Sequence, residues 1–138
     1  MIEGSNHNEN RFKMRAWDML DHVMRYNIGF SINGVQEYAN NDKYPEELIL
    51  DRGKALFMLM QCTGLKDKNS KLIYEGDIVK MQQMQGIGEL TGYVVYSDDG
   101  RFDPRYWVKI GEDNVFFHNE PKVIGNIYEN PELLKQTL

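Results

Sequence analysis

Leu59–Met60–Gln61–Cys62–Thr63–Gly64–Leu65–Lys66–Asp67–Lys68–Asn69–Ser70–Lys71–Leu72–Ile73–Tyr74–Glu75–Gly76–Asp77–Ile78–Val79 decides the reading of this chain. Two apolar, strand-like runs flank a polar turn, and Glu75–Gly76–Asp77 then launches a third run. Ala55–Cys62 is apolar at successive positions, as a strand in the middle of a sheet would be, with Thr63–Gly64 interrupting it. Lys66–Lys71 is a charged turn in which Asn69 is the natural candidate for a left-handed conformation. Leu72–Tyr74 is a short strand, Gly76 supplies a bend, and Ile78–Met81 is the next strand.

Upstream of this stretch, Arg11–Trp17 alternates, with Phe12, Met14 and Ala16 on one face and Arg11, Lys13, Arg15 and Trp17 on the other. Period two predicts a half-buried strand. Asp18–Asp21 turns the chain, and His22–Tyr26 returns as a strand. Ile28–Ile32 is another strand, and Asn33–Gly34 is a dipeptide that tolerates positive φ in a tight hairpin. Pro45–Glu46–Glu47 has the chemistry of a helical first turn, while Leu48–Ile49–Leu50 is contiguous and has no period. A single-turn helix or an irregular loop is expected there.

Downstream, Gly86 and Gly88 open a loop, and Leu90–Tyr96 is aromatic and β-branched, which favours a strand. Ser97–Gly100 turns into a returning strand, Phe102–Ile110, whose start Pro104 marks as an edge or a bulge. Gly111–Asn114 turns again into Val115–His118. Lys122–Tyr128 is a last strand, and Asn130–Pro131 starts a short C-terminal helical turn with Asn130 as N-cap. Turn signals spaced about 8–12 residues apart favour a barrel or curled sheets over a parallel α/β fold.

The fold class read from these signals is mainly β, a β-rich α+β chain with N-terminal hairpins packed on a small C-terminal barrel. Residues 1–10 are polar and read as a flexible lead-in, followed by a single domain over 11–138 with subdomains 11–62 and 63–138. At 138 residues the chain can bury a core without disulfides or metal.

Composition limits function. The formal charge of −5 opposes a sequence-independent nucleic-acid binder, whose affinity comes from Lys and Arg on phosphates. It leaves room for a local basic face, since Arg11, Lys13, Arg15 and Arg25 lie close together in sequence. The single cysteine, Cys62, fits a reducing compartment and sits in an apolar run, which describes a buried, inert thiol. No apolar run reaches the roughly 20 residues of a membrane span, and the polar N-terminus has no signal pattern. A cytoplasmic protein is expected, without membrane attachment.

Catalytic patterns are lacking. His7, His22 and His118 are scattered without metal-ligand spacing, and no cofactor is implied. Ser31, Ser70 and Ser97 lie in or beside turns, and Gly86–Ile87–Gly88 lacks the lysine and helix of a phosphate loop. Glu75, Asp77, Asp98, Asp99, Asp103, Glu112 and Asp113 occupy turn positions, where carboxylates serve the backbone. A non-enzymatic role follows. Aromatics crowd the span from Tyr93 to Phe117, and eight methionines suit adaptable apolar contacts. Two surfaces are candidates: an aromatic/Met face or strand edge for proteins, and Arg11, Lys13, Arg15 and Trp17 for a partner or for stacking on single-stranded bases.

Three blocks carry a resemblance: Arg15–Ala16–Trp17–Asp18, then TGLKDKNSKLIYEGDIVK over 63–80, then VIGNIYENPELL over 123–134. In this order they closely resemble the YopX family of phage and prophage proteins. The resemblance implies a phage- or prophage-encoded cytoplasmic protein of the host cell, with Ile73–Tyr128 forming an SH3-like barrel, and it carries no functional residue with it. It implies a structural role for Trp17, Tyr74 and the Glu75–Gly76–Asp77 corner. This chain departs from the pattern at Ser70, where glycine commonly follows Asn69, and at Cys62, where an aromatic is common. The leading functional expectation is an accessory protein-interaction module that self-associates or binds a phage or host protein. A nucleic-acid-binding accessory factor is the alternative.

Overall fold

The computed structural model describes residues 13–31, 34–38, 48–82, 88–96, 106–115, 117 and 120–136. Its described residues are mainly β, in twelve strands and two short 3₁₀ turns. The chain divides into two compact units, Phe12–Gln61 and a second formed by Cys62–Leu138 with Met1–Arg11. No helix among the described residues is long and apolar enough to cross a membrane.

In the first unit, β1 (Met14–Asp18) lies between β2 (Val23–Arg25) and β6 (Phe57–Lys66), antiparallel to both. β3 (Ile28–Ser31), β4 (Gly34–Tyr38) and β5 (Leu48–Arg52) form a second antiparallel sheet in that order. Ala16, Val35 and Phe57 are its buried core, with Ile28, Leu50 and Leu59 packed against them.

Two expectations change here. Leu48–Leu50 belongs to a strand, because β4 offers a free edge on which the contiguous apolar run pairs, Leu50 with Glu37 and Leu48 with Tyr38. The Pro45 turn lies outside the described residues. Gly34 pairs with Ser31 and so begins β4 rather than occupying the centre of the hairpin turn. A Cβ at Gly34 would run into the Arg52 carbonyl oxygen, so a close strand approach selects this glycine.

β6 follows a short 3₁₀ turn, η1 (Lys54–Leu56), and is longer than expected: Thr63–Gly64 bends the strand without ending it. The register shifts between Cys62↔Tyr74 and Lys66↔Leu72, which marks a bulge. Side chains there occupy the displaced backbone groups. Thr63 Oγ1 donates to the Ile73 carbonyl at 2.8 Å and accepts the Leu65 amide at 3.0 Å. The buried Cys62 Sγ accepts the Gly64 amide at 3.4 Å.

The second unit is built on a five-stranded antiparallel sheet curled into a half-barrel, in the order β11-β10-β9-β8-β12. Its strands are β8 (Asp77–Gln82), β9 (Glu89–Tyr96), β10 (Tyr106–Ile110), β11 (Asp113–Val115) and β12 (Lys122–Asn126), while β7 (Leu72–Tyr74) pairs with the end of β6. Ile73, Val79, Met81, Val94, Tyr106, Val108 and Val123 are its core. Alternate residues of β8 and β9 supply that core, the pattern of a sheet covered on one face.

The corner at Gly76 has φ 83° and is pinned on both sides, its amide on the Val94 carbonyl and its carbonyl on the Ile127 amide. Asp77 Oδ2 accepts the Tyr74 amide at 2.8 Å and closes the corner. In the preceding turn the left-handed residue is Ser70, at φ 66°, and not Asn69. The C-terminal turn η2 (Pro131–Gln136) forms as expected, but Asn130 Oδ1 accepts the Asn126 amide behind it at 3.2 Å. Asn130 therefore serves the turn after β12.

Candidate functional site

Asp18 is the residue from which the first unit's polar site is built. It ends β1, and its Oδ1 accepts the amides of Leu20 and Asp21, each at 2.9 Å, so the carboxylate itself shapes the turn into β2. Oδ2 faces two guanidinium groups: Arg25 Nε at 2.9 Å and Arg52 Nη1 at 2.6 Å. Arg25 also binds Glu37 through Nη1 and Asp21 through Nη2, each at 2.8 Å, and Arg52 Nη2 reaches Asp21 at 2.9 Å.

Asp18 is fully buried. Burial alone would raise its pKa, but the Asp21 amide, Arg25, the Leu20 amide and the Arg52 charge outweigh it, and the carboxyl is held below its ordinary value. Burial would likewise lower Arg25, yet its bonds to Asp18 and Glu37 raise it. Asp18 and Arg25 therefore both stay charged at neutral pH. This is a clamp joining the β1–β2 hairpin to β4 and β5, with the Arg25 and Arg52 guanidiniums each held by carboxylates. Among the described residues, no group of His, Cys, Asp and Glu side chains has the arrangement of a metal site.

The four candidate contact residues meet different fates. Arg11 lies outside the described residues, Lys13 is exposed, Trp17 is half-buried and Arg15 is only 2% exposed. The Arg15 guanidinium carbon stands 6.0 Å from the centroid of the Tyr26 ring, a cation–π arrangement. Arg25, counted with them as a local basic cluster, is committed to three carboxylates. Lys13 is thus the one member of this cluster, among the described residues, that is exposed.

Trp17 has a different setting. It pairs with Met24 on β2 and with Met58 on β6, and residues directly opposed across strands project from the same face. The result is a Met24, Trp17, Met58 row across three strands, with Met58 43% exposed. Trp17 also faces His22, with ring centroids 6.3 Å apart, and His22 holds φ 57° in the turn. Leu20, in the same turn, is 59% exposed. Trp17 was visible in the sequence; its two methionine neighbours follow from strand register, which no local pattern shows.

Together these features define a small β protein with a rigid ion-paired frame and an apolar sulfur- and aromatic-bearing surface. The chain belongs to the YopX protein family, whose sequence profile matches residues 13–135. The crystal structure of protein EF1440 from Enterococcus faecalis is similar at 28% identity and a TM-score of 0.59, over 88% of this chain and 96% of that one. The crystal structure of protein yopX from Bacillus subtilis, at 22% identity, shares the fold with a TM-score of 0.58, over 90% of this chain and 98% of that one. No curated protein matches the sequence.

Proposed function

We propose that this chain is a phage- or prophage-encoded accessory protein of the host cytoplasm that acts without catalysis, as a protein-interaction module. Its contact surface is the row Met24, Trp17 and Met58, with Leu20 at its margin. The observation carrying this reading is the exposure of Met58 beside Trp17 on one sheet face. Tryptophan and methionine are enriched where proteins meet, because they offer large adaptable apolar contact at modest polar cost. The phage association rests on the family resemblance. The acidic balance of −5 and the burial of Arg15 both argue for protein over nucleic acid as the partner.

The test places a photo-crosslinking residue at Met58, and a second at the exposed Glu112 as a control, in cells that carry the full chain. A discrete adduct at 58, resistant to nuclease and lost on Leu20→Glu, is the expected result. An adduct of the chain with itself would make the partner a second copy on the same surface. Equal labelling at 58 and 112, or an adduct removed by nuclease, would overturn the reading.

A further inference from the structure

The second unit holds a cleft of about 340 Å³ lined by Lys68, Lys80, Gln82, Glu89, Glu120 and Lys122. Lys80 on β8 and Lys122 on β12 are direct cross-strand partners. Like charges opposed in this way repel, and a sheet normally avoids the pairing or places a counter-charge against it. A third ammonium comes from Lys68, whose turn is held against the start of β12 because its backbone N–H donates to the Pro121 carbonyl at 3.0 Å. Among the described residues, none of the three lysines forms an ion pair.

The rest of the lining has a different chemistry. Gln82 lies two residues beyond Lys80 on the same face of β8 and pairs with Glu89 on β9, its Nε2 donating to Glu89 Oε2 at 3.5 Å. Glu120 adjoins Pro121 and holds φ 47°, a left-handed conformation that a residue with a side chain adopts only when its surroundings impose it. Such a lining sets three ammonium groups beside two carboxylate acceptors.

We propose that this cleft binds a phosphorylated, hydroxyl-bearing small molecule of about mononucleotide size, with its phosphate on Lys68, Lys80 and Lys122. Lysine recognises phosphate as a mobile point charge, and a dianion offsets the repulsion of the opposed pair better than a monoanion does. Glu89 and Glu120 accept hydrogen bonds from the ligand's hydroxyl or amino groups. They also disfavour a ligand that is anionic throughout. The volume lies within the range of about 300–1,000 Å³ typical of small-molecule sites. The cleft lies in a different unit from the Trp17 surface, so the two readings stand or fall separately.

The experiment is amide NMR of the isotope-labelled full chain, titrated separately with AMP, inorganic phosphate, sodium chloride and a single-stranded oligonucleotide. Saturable shifts confined to residues 68, 80, 82, 89, 120 and 122 are expected with AMP, with a Kd below about 1 mM. Lys80→Ala and Lys122→Ala should each weaken that affinity about tenfold or more, a loss of one strong charge-assisted contact. Both variants should keep the wild-type spectrum elsewhere, since each relieves a like-charge pair. Chloride producing the same shifts as AMP would overturn the proposal, and so would saturation by the oligonucleotide with no response to AMP. Saturation by inorganic phosphate alone, with AMP silent, would also overturn it.

Discussion

The Asp67 carboxylate, in the turn between β6 and β7, accepts the amide of Val123 on β12 at 2.9 Å through Oδ2. Its Oδ1 accepts the amides of Asn69 and Lys71 at 2.8 and 2.9 Å, so one buried side chain both shapes its own turn and ties it to a strand 56 residues away. Asp67→Ala leaves three amides without that acceptor. A hydrogen bond to a charged group contributes about 1.5–3 kcal/mol, and the loss is expected at the upper end of that range. Urea unfolding followed by fluorescence measures it, and a change under about 1 kcal/mol would show that water replaces the carboxylate.

The same residue sets the acid limit. Burial would raise the Asp67 pKa, but the amides of Val123, Lys71 and Asn69 and the charge of Lys71 bring it below the ordinary value. Asp18 is lowered in the same direction. A carboxyl depressed by folding contributes stability that is complete above its unfolded pKa and is lost as pH falls through the folded one. Stability should therefore be insensitive to these two groups at neutral pH and fall below about pH 4. Asp67→Asn, measured from pH 7 to 2, should lie below wild type at neutral pH and decline less steeply in acid. Parallel curves would rule out Asp67 as a titrating contributor.

The clamp around Asp18 predicts an asymmetry. Removing the carboxylate by Asp18→Ala leaves Arg25 and Arg52 facing each other with only Asp21 and Glu37 to hold them. Both guanidiniums are partly exposed and keep other carboxylates, so the loss should fall short of the roughly 3–5 kcal/mol of a fully buried, stranded charge. Arg52→Met should cost less, since Asp18 keeps Arg25 and two amides. Arg25→Met and Arg52→Met share both Asp18 and Asp21, so a double-mutant cycle should give a coupling above about 0.5 kcal/mol. Strict additivity would show that the two arginines act independently.

These two aspartates also mark the limit of what the sequence discloses. Both stand where turn chemistry alone accounts for an Asp, and the partners that bury them come from distant positions: Arg52 for Asp18, Val123 for Asp67. β9 is legible because burial on one face forces a period of two, whereas β1 is legible as a strand but not as a half-buried one, since the adjacent Arg15 and Ala16 are both buried. The Gly76 corner and the Pro131 turn are legible because each depends on one residue's backbone geometry. Leu48–Arg52 is not, since three contiguous apolar residues satisfy either periodicity and only the neighbouring β4 selects the strand. Register is the deepest gap. The Trp17 row and the opposed Lys80 and Lys122 exist only once the pairing is known.

Gly92 offers a test in which packing and propensity have opposite signs. It sits buried in β9, and a Cβ there would meet the Lys109 carbonyl oxygen and, at 2.7 Å each, Val108 Cγ1 and Ile110 Cγ1. Strand propensity alone favours alanine over glycine, whereas forcing atoms into a filled core costs about 1–3 kcal/mol. Gly92→Ala should destabilise by that amount in thermal or urea unfolding. Stabilisation would mean that β9 and β10 separate freely at this point.

Ser70 predicts a gain. Its φ of 66° places Cβ against the backbone, a conformation that costs a residue with a side chain about 1–2 kcal/mol and costs glycine little. The chain tolerates serine because the turn is fixed by other groups: the Ser70 amide donates to the Asp67 carbonyl at 2.9 Å, and Asp67 Oδ1 holds the residues on either side. Glycine keeps that amide and removes Cβ, but it also enlarges the freedom of the unfolded chain, so part of the relief is returned. Ser70→Gly should raise stability by about 0.5–1 kcal/mol in urea unfolding. Ser70→Ala retains Cβ and should gain nothing, and Asn69→Gly should lose stability because Asn69 has no positive φ to relieve. A gain at Asn69 with none at Ser70 would move the left-handed residue of this turn back by one position.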